Sequence, residues 1–110
     1  MRQFLVDELT REERANIDSY LKRTLKSGSI DGLFWLAVPP DLIGAEQTGH
    51  EECGPFYFAV ELGEDVLRFE LLVRSRTNLH CSCIAYASQA QRDFVLKYVD
   101  TLMAEECIKA

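Results

Sequence analysis

A run of alternating apolar and charged residues between Phe56 and Tyr86 constrains the fold of this chain more than any other feature. In its central part every second residue is apolar, and arginine and glutamate occupy positions between them. A period of two residues is typical of a β-strand that buries one face. Turn-forming residues at Gly63–Asp65 and Thr77–Asn78 divide the run, which therefore predicts three consecutive antiparallel strands.

The turn positions also predict which residues face each other across the strands. Placing Glu64 and Asp65 at the first turn brings the apolar faces of both strands together, and it sets Glu61 opposite an arginine. A register shifted by one residue would set an apolar face against a polar one. The predicted pairs are Val60–Phe69, Phe58–Leu71, Glu61–Arg68, Val73–Ser82 and Leu71–Ile84.

Helical patterns lie on both sides of this run. Thr10 with Glu13, and Ser88 with Gln91, form the spacing of a capping box at the start of a helix. Since no helix separates the strands, we expect an α+β two-layer sandwich, with a four-stranded antiparallel sheet and both helices on one face. The predicted elements are helix 10–27, strands 30–38, 56–62, 66–76 and 79–87, helix 89–107, and a long loop over 39–55.

The length and charge of the chain limit its function. With 110 residues, it is predicted to form a single domain over 1–110 that folds without metal or disulfide staples. A net charge of −6 argues against nucleic acid and anionic membrane surfaces as partners. The first ten residues lack the apolar core of a secretory signal, so we expect a cytoplasmic protein with reduced cysteines.

A metal site is one interpretation of the cysteines and histidines. His50 and Cys53 lie in the long loop, and Cys81 and Cys83 begin the fourth predicted strand. Imidazole and thiolate are the ligands that zinc prefers, and four of them can form a tetrahedral site. However, Cys-x-Cys on a regular strand separates the Cα atoms by about 6.6 Å, which opposes chelation. Despite this objection, the metal-site hypothesis stays open, with His50, Cys53, Cys81 and Cys83 as the ligands and zinc as the cofactor.

Other interpretations of these residues stay open. Free cysteines are commonly buried as packing residues. A thiol-dependent enzyme would need a cysteine paired with His50 or His80, and an orienting group for the base. The arginines of the strands and the last helix suggest an anion site, although solvent-facing strand positions are normally charged. These arginines are Arg68, Arg74, Arg76 and Arg92.

The second face of the sheet carries apolar residues that two helices on the other face cannot cover. Exposed apolar patches usually mark contact surfaces, and tryptophan and tyrosine are typical interface anchors. Cover by the 39–55 loop is the alternative. The leading prediction is therefore a non-catalytic, adaptor-like or chaperone-like domain that acts through protein contacts. The expected partner is a second copy of the chain, which would make the protein a homodimer. The predicted interaction face comprises Leu33, Trp35, Tyr57, Leu72 and Arg74.

Overall fold

An antiparallel sheet of seven strands forms the centre of the structure, a computed structural model that describes all 110 residues. The strands are β1 (Gln3–Val6), β2 (Lys26–Ser27), β3 (Leu33–Ala37), β4 (Phe56–Leu62), β5 (Leu67–Glu70), β6 (Leu72–Ser75) and β7 (Ala85–Tyr86). Five of them lie side by side in the order β1-β5-β4-β3-β2, while β6 pairs with β4 and β7. The predicted α+β class with an antiparallel sheet is confirmed, and the predicted number of four strands is wrong.

Two helices accompany the sheet, α1 (Arg11–Thr24) and α2 (Gln89–Glu105). Both predicted capping boxes are confirmed. The Thr10 hydroxyl accepts a hydrogen bond from the Glu13 N–H, and the Ser88 hydroxyl accepts one from the Gln91 N–H. Each helix therefore begins where local side-chain chemistry satisfies its free N–H groups. No helix of the chain combines the length and the apolar composition that crossing a membrane requires.

Two of the additional strands are short edge strands. β1 pairs with β5, with Phe4 opposite Phe69. β2 follows α1 directly and sets Lys26 opposite Trp35 of β3. The helix predicted over 10–27 ends early because Leu25 adopts an extended backbone and the residues after it join the sheet. Pairing with the sheet thus outweighs the helical propensity of these residues.

The strand predicted over 66–76 is interrupted at Leu71. Val60 lies opposite Phe69 and Glu61 opposite Arg68, as predicted. The predicted Phe58–Leu71 pair does not form, because the register moves by two residues and Tyr57 lies opposite Arg74 rather than Leu72. Leu71 instead bonds outside the β4 ladder. Its N–H donates to the Arg2 carbonyl (3.0 Å), and its carbonyl accepts from the Ala87 N–H (2.8 Å).

The strand predicted over 79–87 is reduced to β7. Val73 lies opposite Ala85 rather than Ser82, and the predicted Leu71–Ile84 pair does not form, because this register places Leu72 opposite Tyr86. Residues 76–84 form a loop instead of a tight turn at Thr77–Asn78. Local hydrogen bonds explain this loop: the Asn78 side chain accepts from the His80 N–H, and the Ile84 N–H donates to the Cys81 carbonyl. Such bonds compete with a strand ladder.

One hydrophobic cluster of 22 buried residues joins the helices to the sheet. Tyr98 of α2 is partly buried and packs against this cluster. Its ring centroid lies 5.9 Å from that of Tyr20 in α1 and 6.1 Å from that of Phe69 in β5. The cluster also contains Cys53 and Cys83, so two of the four cysteines are part of the core.

Replacement of Phe69 by alanine tests this core. Its side chain is fully buried beneath Tyr98, so Phe69→Ala should lower the free energy of unfolding by about 3–5 kcal/mol through lost burial and a new cavity. Leu96→Ala, on the exposed side of α2, is the control and should change it by about 0.5 kcal/mol or less. Urea denaturation followed by circular dichroism measures both. Equal losses for the two variants would contradict the core position of Phe69.

Candidate metal centre

A single 3-10 turn places the first two candidate ligands. The turn spans Glu51–Cys53, His50 precedes it, and the Cys53 N–H donates to the His50 carbonyl (2.9 Å). Residues three apart eclipse one another in a 3-10 helix. His50 and Cys53 therefore project from the same side of the loop.

The loop over 76–84 places the other two. Cys81 and Cys83 lie in a turn closed by the Ile84 N–H, not on a regular strand. The objection based on the Cα spacing of an extended strand therefore does not apply. Cys83 is fully buried and belongs to the hydrophobic cluster, whereas Cys81 is half-buried.

The four candidate ligands converge. The imidazole nitrogen of His50 and the sulfurs of Cys53, Cys81 and Cys83 all lie within 4.8 Å of one another. Cys81 Sγ lies 3.2 Å from His50 Nδ1. Zinc–sulfur bonds of about 2.3 Å imply sulfur–sulfur distances of about 3.8 Å in a tetrahedron. The cluster can thus hold a metal ion after a contraction of about 1 Å.

Hydrogen bonds to Cys53 tie the two loops together. Its carbonyl accepts from the Ser75 hydroxyl (2.6 Å) and the Thr77 hydroxyl (3.2 Å). The Asn78 amide lies 3.9 Å from the Cys53 sulfur, and the Asn78 N–H donates to the Ser75 hydroxyl. Sequence reasoning missed these residues. Ser75 did carry a signal, because it is a polar residue at the next buried position of the strand alternation.

Two buried glutamines, Gln47 and Gln91, form hydrogen bonds next to the cluster. The Gln47 amide donates to the Cys83 carbonyl (2.6 Å). Gln91 donates to the Gln47 side-chain oxygen (3.2 Å) and to the Leu42 carbonyl (2.9 Å). Gln91, predicted only as a capping residue, therefore also links the start of α2 to the 39–55 loop.

The three sulfurs differ in acidity. The pKa of Cys81 is lowered to about 7, because the backbone N–H and the thiol of Cys83 stabilise its thiolate. Burial raises the pKa of Cys83 to about 12, and burial also raises the pKa of Cys53. One of the three thiols is therefore close to its metal-binding form at neutral pH.

The predicted pairs for thiol catalysis are arranged differently. His80 is exposed, and its backbone N–H donates a hydrogen bond to the Asn78 side-chain oxygen. The histidine in contact with a cysteine is His50, and its partner is Cys81. The burial of Cys53 and Cys83 agrees with packing as well as with metal binding.

The predicted interaction face is assembled only in part. Leu33, Trp35 and Arg74 line one open hollow of about 320 Å³, and the Tyr57 ring lies edge-on to Trp35 at 6.2 Å. Leu72 is not among the lining residues and pairs with Tyr86. No residue of the 39–55 loop lines this hollow.

The four arginines considered for an anion site have separate environments. Arg68 forms an ion pair with Glu61, and Arg74 forms one with Glu70. Arg92 donates to the Ala87 carbonyl. Arg76 lies over the rings of Trp35 and Tyr57. No shared anion site of all four follows from these contacts.

Comparison of the chain with protein-family models, with curated proteins and with solved structures gave no match. The chemistry of the site is therefore the basis for assigning a function.

Alkylation of the metal-free protein tests the electrostatics of the cluster. At pH 7 iodoacetamide should modify Cys81 before Cys53 and Cys83, because Cys81 is half-buried and its pKa is about 7. Because the pKa of Cys81 is lowered to about 7, its side chain is mainly thiolate above this pH and mainly protonated below it. The rate of Cys81 modification should therefore fall as the pH drops through about 7.

Peptide mass spectrometry measures the rate at each cysteine, with protein unfolded in urea as the reference. The exposed Cys107 monitors general reagent access. Faster modification of Cys83 than of Cys81 in folded protein would contradict the described arrangement.

Proposed function

We propose that this protein is a metal-binding domain whose 39–55 and 76–84 loops hold one Zn²⁺ ion. The ligands are His50 Nδ1 and the sulfurs of Cys53, Cys81 and Cys83. One observation carries the proposal: a ring nitrogen of His50 and the three sulfurs, from two loops distant in sequence, lie within 4.8 Å of one another. The geometry favours this function over the contact function that the sequence suggested first.

The ligand types support zinc over other common ions. Magnesium and calcium select oxygen ligands, whereas three thiolates and an imidazole suit a tetrahedral zinc ion. The protein supplies all four ligands, which is typical of structural zinc, because catalytic zinc keeps an open position for water. The proposed role is therefore to stabilise a local structure and not to activate a substrate.

The neighbouring groups are suited to this role. Three thiolates around a dication leave a net negative charge, and the Asn78 amide near the Cys53 sulfur can donate toward it. The bonds from Gln47 to the Cys83 carbonyl and from Ser75 to the Cys53 carbonyl position the backbone on both sides. The metal would thus fasten two loops whose backbones already meet.

Protein contact through the outer face of the sheet is the second candidate function. We infer that both helices cover the same face, because Tyr98 contacts both Tyr20 and Phe69. Trp35 and Tyr57 alternate with buried Phe34 and Phe58, so they belong to the opposite face. The hollow beside Trp35 is the observation that favours this candidate, with a second copy or another protein as the partner.

Metal analysis tests the first proposal. Protein purified without chelator and without affinity metal should carry one zinc per chain by native mass spectrometry. Cys81→Ser should remove it, because three ligands in flexible loops bind zinc far more weakly than four. The matched control is Cys107→Ser, which changes the exposed cysteine outside the cluster and should retain the metal.

Zinc should also stabilise the fold. At a free zinc concentration about 100 times the Kd, stabilisation of about 2.7 kcal/mol is expected, which corresponds to a rise in Tm of about 10 °C. Thermal melts with and without a chelator measure it. Equal metal content and equal Tm for wild type and Cys81→Ser would contradict the proposal.

A further inference from the structure

Two hollows on the outer face of the sheet share Arg76 as a lining residue. Each has a volume of about 320 Å³. Leu33, Trp35 and Leu79 provide apolar walls of the first hollow. Lys26 and Tyr57 line the second. These six residues together are called the outer groove.

Aromatic rings hold Arg76 in place. Its guanidinium carbon lies 5.1 Å from the ring centre of Trp35 and 5.6 Å from that of Tyr57. A cation above aromatic rings is attracted to their faces but keeps its charge. Arg76 is therefore an oriented and exposed positive group at the centre of the groove.

The positive charge of the groove is not balanced within the protein. Glu70 also lines the first hollow, but it is paired with Arg74, which lines the same hollow, and the neighbouring Glu61 is paired with Arg68. Neither Lys26 nor Arg76 has a carboxylate partner among the ion pairs of the protein. Two uncompensated cations beside an apolar surface thus occur in a chain with a net charge of −6.

The shape of the groove favours an extended ligand. Small-molecule sites usually bury most of their ligand, whereas these hollows are open and lie on a sheet surface. A chain segment can span both and place side chains on either side of Arg76. Two free cations are few for a nucleic-acid backbone, whose binding depends on many phosphate contacts.

We propose that the outer groove binds an extended acidic peptide segment of a partner protein. Carboxylates of the segment pair with Arg76 and Lys26, and its apolar side chains pack against Leu33, Trp35 and Leu79. This inference rests on the second candidate function, contact through the outer face, and does not require a metal at the cysteines.

Trp35 makes the test direct, because it is the only tryptophan in the chain and its fluorescence reports on the groove. The probe is a blocked peptide of alternating glutamate and leucine of about seven residues, which extends over roughly 23 Å. It should change the Trp35 emission in a saturable manner, with weaker binding at high salt. Peptides in which glutamine or lysine replaces glutamate are the comparison.

Arg76→Gln should weaken binding of the acidic peptide at least about tenfold, because a charge-assisted hydrogen bond is lost. Lys97→Gln removes the same charge from the exposed surface of α2 and should leave the affinity unchanged. Circular dichroism confirms that both variants are folded. Unchanged affinity of Arg76→Gln would overturn the proposal.

Other outcomes separate this inference from the function on which it rests. Equal binding of the glutamine peptide would retain a contact surface but overturn its preference for acidic partners. Failure of all peptides, together with a native dimer that Trp35→Ala dissociates, would identify a second copy as the occupant and overturn the acidic segment. If no peptide binds and both the wild type and Trp35→Ala are monomers, the contact function is overturned as well.

Discussion

The pairing of β4 with β6 determines where the two ligand-bearing loops meet. Phe56, at the start of β4, lies opposite Ser75, at the end of β6. Cys53 lies shortly before Phe56, and the loop that contains Cys81 and Cys83 follows Ser75. Without the two-residue register shift near Leu71, the loops would be offset along the strands by about 6.6 Å. The candidate centre therefore depends on an irregularity of the sheet.

The loop over 76–84 takes part in both candidate sites. Arg76 and Leu79 border the outer groove, while Cys81 and Cys83 belong to the metal cluster. The Cys53 carbonyl, bound to Ser75 and Thr77, joins the start of this loop to the other ligand-bearing segment. A metal at the cluster would restrict the same segment that forms one wall of the groove. The two proposals are chemically independent but share this structural element.

Local features of the fold were predictable from the sequence, and distant ones were not. The capping boxes and the Val60–Phe69 pairing depend on neighbouring residues or on one short turn, and the sequence predicted them. The interruption at Leu71 depends on backbone bonds to Arg2 and Ala87, which no local pattern indicates. The candidate ligand residues could be named from the sequence, but the turn geometry that brings them together depends on bonds of Asn78 and Cys81 within the loop.

X-ray absorption at the zinc edge of the purified protein tests the central claim most directly. We expect a first shell of three sulfur atoms at about 2.3 Å and one nitrogen at about 2.0 Å. That result would require the cluster of His50, Cys53, Cys81 and Cys83, where these ligand atoms converge. A first shell of oxygen and nitrogen atoms without sulfur, or protein without zinc after reconstitution, would contradict it.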